Sequence, residues 1–147
     1  MRSLVYLSEA NAVFDTAALQ KLVTVSVEHN LRARITGYLY FEEQRFLQYL
    51  EGEAEDVDQL MRRLALDPRH SVIRMVQQDT RRTRRFPDWH MRWLRQHEMG
   101  AISLEYGLTT ILKASKAGEA CEETVDEIKI WTLVDQVAAV RHTSPFV

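Results

Sequence analysis

Hydrophobic positions recur along the chain with two different periods. Residues 3–8, SLVYLS, form a short apolar run closed by the turn-like EANA, the signature of a strand. The period then lengthens. Asp15 or Thr16 can cap a helix running to about Asn30, with Leu19, Leu22, Val23 and Val27 at helical spacing. Arg34 to Phe41, interrupted by Gly37, and Arg45 to Leu50 read as two strands joined by the polar turn Glu42-Glu43-Gln44. A second helix opens at Glu53 or Glu55 and turns Val57, Leu60, Met61 and Leu64 to one face. Asp67-Pro68 stops it, because proline cannot continue a hydrogen-bonded helix. Residues 72–78 and 86–94 predict two more strands, on either side of the basic connection Arg81–Arg85.

The order β-α-β-β-α-β-β predicts an α+β fold, a ferredoxin-like antiparallel sheet with two helices on one face. The other sheet face needs cover, and the rest of the chain can supply it. Leu104, Leu108, Ile111 and Leu112 make an amphipathic stripe, and residues 114–123 a polar connector. Thr124 and Glu127 have capping-box spacing ahead of Ile128, Trp131, Val134 and Val137, which are expected to point inward. The expected organisation is a domain over 1–97 and a C-terminal helical extension over 98–147 packed on the sheet.

Composition narrows the class. A chain of 147 residues suits one domain, and 19 basic against 21 acidic side chains leave a net charge of −2. That balance argues against coating nucleic acid or an anionic membrane. Charge divides along the chain: residues 1–97 carry 15 basic and 13 acidic groups, residues 98–147 carry 4 and 8. The single cysteine, Cys121, falls in the expected connector as a bystander. It excludes an internal disulfide and fits a reducing compartment. With no secretory-type N-terminus and no bilayer-length apolar run, a cytoplasmic domain is expected. Five histidines show no metal-ligand spacing, and neither a Gly-rich nucleotide loop nor a nucleophile elbow is present. The Arg81–Arg85 run, without interleaved aromatics, reads as a solvated loop rather than a phosphate patch.

Candidate chemistry lies where polar groups interrupt apolar faces. The stripe of the first helix continues to Ser26 and Asn30, one turn apart, while Gln48 breaks the run Phe46-Leu47-Gln48-Tyr49-Leu50 and Tyr6 is mid-strand. Singly, each has an ordinary reading: a helix end, a solvent-facing strand edge, a core tyrosine. A buried amide without a partner costs about 1–3 kcal/mol, so inward-facing groups of this kind need one another or a ligand. Together they suit a planar heterocycle with donors and acceptors along one edge and apolar residues on its faces.

These residues carry a resemblance to the BLUF family, sensors of blue light using flavin, over about residues 1–94. The matching blocks, in order, are Leu4-Val5-Tyr6-Leu7-Ser8, His29-Asn30, Ile35-Thr36-Gly37, Phe46 to Gly52, Asp67-Pro68-Arg69-His70 and Arg85 to Met91. The resemblance implies a flavin held noncovalently between the two helices, usually FAD, with FMN as the alternative. It implies that Tyr6 gives up an electron and a proton. It makes Gln48 the switching amide, whose new hydrogen bond to the flavin carbonyl shifts the absorption to the red. It makes Asn30 the holder of the polar ring edge. Ser26, His29 and Arg32 stand at ring-lining positions, Asp67, Arg69 and His70 near the ring or ribityl chain, and Trp89 and Met91 at the pair that exchanges places near Gln48. Trp89, Met91 and Trp93 share one strand parity, which leaves open whether Trp89 or Met91 faces the flavin. Where the family often has Trp, this chain has Tyr49.

The resemblance implies a photoreceptor rather than an enzyme, signalling in trans to a separate protein. Trp93, Trp131 and the tail helices are candidates for self-association, a dimer being favoured, or for partner docking. The competing readings are a small ferredoxin-like flavoprotein reductase, an acylphosphatase-like hydrolase, of which Asn30 with Arg32 is a faint echo, and a non-photoactive interaction module.

Overall fold

The computed structural model describes residues 1–94 and 120–143. Met1–Leu94 form one compact unit, and the last helix belongs to a second. In the first unit the elements are β1 (Arg2–Ala10), α1 (Thr16–Ala33), β2 (Thr36–Glu42), β3 (Arg45–Gly52), α2 (Ala54–Ala65), β4 (His70–Gln78) and β5 (His90–Leu94). Helix α3 spans Ala120–Thr143. The sheet order is β4-β1-β3-β2-β5. Neighbouring strands are antiparallel, except that β5 joins the edge parallel to β2. The ferredoxin-like α+β reading therefore holds, with the fifth strand added parallel.

Local chemistry sets the element ends. Asp15 caps α1 by accepting the Ala18 N–H at 2.8 Å, and α1 stops where Arg34 turns left-handed at φ 56°. The Arg34 and Ile35 N–H groups both close on the Asn30 carbonyl. Glu55 and Asp56 in the first turn of α2, with Arg62 and Arg63 in its last, complement the helix dipole. Leu19 and Val23 of α1 and Val57 and Leu60 of α2 share one core with Leu4, Tyr6, Leu39, Phe46 and Leu50 of the sheet, so both helices cover the same face. Each buried aliphatic contributes about 1.5–3 kcal/mol.

Three expectations change. Residues 86–89 are not strand: the Phe86 N–H is taken by the Glu51 carboxylate at 2.8 Å, and Phe86 and Trp89 stack with centroids 4.9 Å apart. Helix α3 begins at Ala120, so Thr124 lies inside it rather than capping it, and Cys121 is helical rather than in a connector. The residues ACEE before Thr124 are compatible with helix and contain no Gly or Pro to delay the start. Trp131, Val134 and Val137 are buried as expected, joined by Ile130 and Leu133, while Ile128 is exposed. The predicted stripe Leu104–Leu112 lies outside the described residues. Among the described residues no helix is long and apolar enough to cross a membrane.

Candidate functional site

Strand register brings the two central polar groups together. Tyr6 and Gln48 are directly opposed partners in the antiparallel β1–β3 pair, so their side chains leave the sheet on the same, helix-covered face. Both are buried, and the Tyr6 hydroxyl donates to Gln48 Oε1. Gln48 Nε2 donates to Met91 Sδ at 2.9 Å. Asn30, buried in the last turns of α1, donates from Nδ2 to the His90 carbonyl at 3.2 Å, tying α1 to the start of β5.

These groups line a cavity of about 210 Å³ between α1, α2 and the sheet. Of the residues expected at the site, Tyr6, Ser26, His29, Asn30, Gln48, Asp67, Arg69 and His70 all line it. Arg32 does not; it lies in a neighbouring groove with Arg62 and Arg63. Two residues past Asn30, a helical side chain is rotated away from the face that Ser26 and Asn30 share. Met91 is on the Gln48 side, whereas Trp89 lies on the opposite sheet face, edge-on to Tyr38 with centroids 6.4 Å apart. Strand parity does not carry back to Trp89, which precedes β5: the β2–β5 register slips between Gly37 and Tyr38, and Met91 takes φ 125° there. Leu22, Leu39, Leu60 and Leu64 complete the apolar walls; Arg63, which sequence reasoning passed over, adds a cation and donates to His29 Nδ1 at 3.1 Å. Its spacing from Leu60, on the inward stripe of α2, was the available signal.

The electrostatics keep the phenol protonated. Burial pushes the Tyr6 hydroxyl well above its ordinary range, and the Asp67 carboxylate adds to the effect. Asp67 stays charged: Arg69 donates to it from Nη2 at 2.6 Å and holds its carboxyl down at about 2. His70 donates from Nε2 to the Leu64 carbonyl at 3.0 Å, fixing its ring at the cavity wall. The donor set fits a planar, polar-edged ligand. Two carboxamides and a phenol present acceptors and donors on one side, aliphatic side chains line the walls, and cationic Arg63 and Arg69 stand at the rim. Among the described residues no cluster suits a metal ion.

The opposite sheet face corrects the reading of the arginine run. Arg84 donates to the Arg34 carbonyl at 2.6 Å, to Thr36 Oγ1 at 3.0 Å and to the Glu51 carbonyl at 3.1 Å. Arg85 is buried and donates to the Tyr49 hydroxyl at 3.1 Å. These two are internal ties, not a solvated loop.

Comparison with known proteins points to one family. The profile of one family, sensors of blue-light using FAD, matches residues 1–92. The photoactivated adenylate cyclase subunit beta of Euglena gracilis is 30% identical over 118 residues, 76% of this chain and 13% of that protein. The blue light- and temperature-regulated antirepressor BluF of Escherichia coli (strain K12) is 31% identical over 86 residues, 58% of this chain and 21% of its own length. The chain thus spans only a small part of these curated relatives. A solved dark-state structure of BlrB, a BLUF protein, superposes with TM-score 0.64 at 27% identity, covering 94% of this chain and 95% of that one.

Proposed function

The chain belongs to the family of sensors of blue light using FAD, and from that premise we propose that it is a blue-light receptor that binds flavin noncovalently in the cavity between α1 and α2. The hydrogen bond from Tyr6 to Gln48, inside a cavity edged by Asn30, is the observation that carries the reading.

In this reading Asn30 and Gln48 hold the polar ring edge, Leu22, Leu39, Leu60 and Leu64 enclose its faces, and Ser26, His29, Arg69 and His70 complete the lining. Asp67 acts through Arg69. A bound flavin supplies the blue absorption and, once excited, the oxidising power. Tyr6 is the donor. Losing an electron makes a phenol strongly acidic, and its proton has Gln48 Oε1 as the acceptor already in place. An amide that gains a proton on oxygen and loses one from nitrogen, or that rotates end for end, reverses what it offers to Tyr6 and Met91. The contact given up to Met91 sulfur is weak, so the rearrangement loses little there. Nothing is turned over; the output is a shift in the population of a two-state element at β5.

FAD is the ligand favoured, and FMN the alternative. The photosensor domain is residues 1–97, with the remainder its extension. The names of the relatives attach such sensors to an adenylate cyclase and to an antirepressor. For this chain we assign signalling in trans to a separate protein from the cytoplasm, without enzymatic activity of its own and as a dimer. The test is the absorption of the purified chain before and after blue light. A flavin spectrum that moves to the red and returns in darkness supports the proposal; a colourless chain, or a flavin whose band stays put, refutes it.

A further inference from the structure

The sheet face turned away from the cavity holds a buried polar assembly that the photochemistry above does not use. Glu51 lies on β3, three residues after Gln48, and is wholly buried. Its two carboxylate oxygens take four donors: the Tyr49 hydroxyl at 2.8 Å and the Arg85 N–H at 2.7 Å on Oε1, the Thr36 hydroxyl at 2.8 Å and the Phe86 N–H at 2.8 Å on Oε2. Arg85 extends the assembly to Ser3 Oγ at 3.3 Å and Gln78 Oε1 at 3.2 Å, and Arg84 ties it to the C-terminal turn of α1 through the Arg34 carbonyl. Two backbone amides that a strand ladder would ordinarily pair are therefore held by one side chain.

The loop so gripped leads directly to the output strand. Phe86 stacks on Trp89, and the Trp89 carbonyl accepts the Gly37 N–H at 2.7 Å; two residues on, Met91 meets Gln48. Strand β3 thus reaches the segment before and into β5 by two routes. One is the contact of Gln48 with Met91. The other runs from Tyr49 and Glu51 to the loop 84–86.

We propose that Glu51, with Arg84 and Arg85, is the fixed end of the output segment. These are positioning residues that hold residues 84–89 to β3, so that a change at Gln48 is expressed onward in β5 instead of being dissipated in the loop. The inference rests on the sensor reading above. A rigid anchor is needed because a displacement at Met91 moves the strand only if the chain on its other side cannot give.

The test is hydrogen exchange of the full flavin-loaded chain, in darkness and under blue light, for wild type and Glu51→Gln. An amide side chain presents one acceptor where the carboxylate presents two, so a backbone N–H of the loop loses its partner. In the variant, dark exchange over residues 84–89 rises about tenfold or more, the flavin red shift is unchanged, and the light-minus-dark difference over 90–94 falls to less than about half of wild type. Wild-type exchange in both states would overturn the proposal, as would a folded variant that loses the red shift, because the assembly would then act on the flavin face. If Glu51→Gln does not fold, Arg84→Gln, which cuts the ties to Arg34 and Thr36, is held to the same outcomes. A wild-type chain with no red shift refutes the sensor reading and this proposal with it; a wild-type chain with the shift and a variant with unaltered light-driven exchange refutes this proposal alone.

Discussion

Gln48 and Met91 meet across the helix-covered face of the sheet, Nε2 to Sδ at 2.9 Å, and Met91 does so from a backbone with φ 125°. For a residue with a side chain that conformation costs on the order of 1–3 kcal/mol. The two residues before it are fixed: Gly37 N–H bonds the Trp89 carbonyl, and Asn30 Nδ2 bonds the His90 carbonyl. The strained residue and the amide proposed to switch are therefore in direct contact. The thioether is a poor acceptor, so Gln48 keeps its oxygen for Tyr6 and holds Met91 only weakly.

Replacing Tyr6 by Phe removes the proton donor, and replacing Gln48 by Leu removes its acceptor. Both variants are expected to retain flavin and to lose the light-induced red shift, as read by absorption before and after blue light. A normal photocycle in either would contradict the roles assigned to this pair.

Asn30→Ala should weaken flavin binding while leaving the chain folded. Losing a buried amide contact costs about 1–3 kcal/mol, or roughly 5- to 150-fold in Kd. Titration of the apoprotein with FAD by quenching of flavin fluorescence gives the ratio, and an unchanged Kd would remove Asn30 from the site.

Gly37 has φ 153°, and a Cβ built there would stand 1.9 Å from the Tyr49 carbonyl oxygen. Gly37→Ala must displace backbone of the central strand, so a loss of about 3 kcal/mol or more is expected. Thermal unfolding followed by circular dichroism checks this, and a melting temperature within a degree or two of wild type would count against the close approach.

Burial, the largest cause in each case, raises the phenols of Tyr6, Tyr38 and Tyr49 above their ordinary range. Their folded values exceed the unfolded one, near 10, so the stability they contribute is complete below about pH 10 and is lost as pH rises through the raised values. Tyrosinate absorbance from these three should therefore develop together with loss of the far-ultraviolet dichroism. Ionisation of all the tyrosines near pH 10 with the fold intact would contradict their burial.

Much of the site was legible because its residues break a pattern. Tyr6, Asn30 and Gln48 are polar groups on otherwise apolar faces, and the strand register then placed Tyr6 opposite Gln48. The side of the sheet taken by Trp89 was not legible, since parity assumes a regular strand, whereas β5 begins only at His90 and its register with β2 slips at Gly37. Arg84 and Arg85 looked like solvated charge because their acceptors, the Arg34 carbonyl, Tyr49 and Glu51, lie 33–50 residues earlier in the chain. Arg32 fell outside the cavity through helical rotation alone.

The central claim is that Gln48 reverses the hydrogen bonds it offers, by tautomer or by rotation, when Tyr6 gives up its proton. The light-minus-dark infrared difference spectrum of the flavin carbonyl tests it most directly, in wild type and in Gln48→Leu. The expected result is a carbonyl band that moves to lower frequency on illumination in wild type and stays still in the variant. A downshift that survives in Gln48→Leu, or a wild-type red shift with no movement of the carbonyl, would contradict the account.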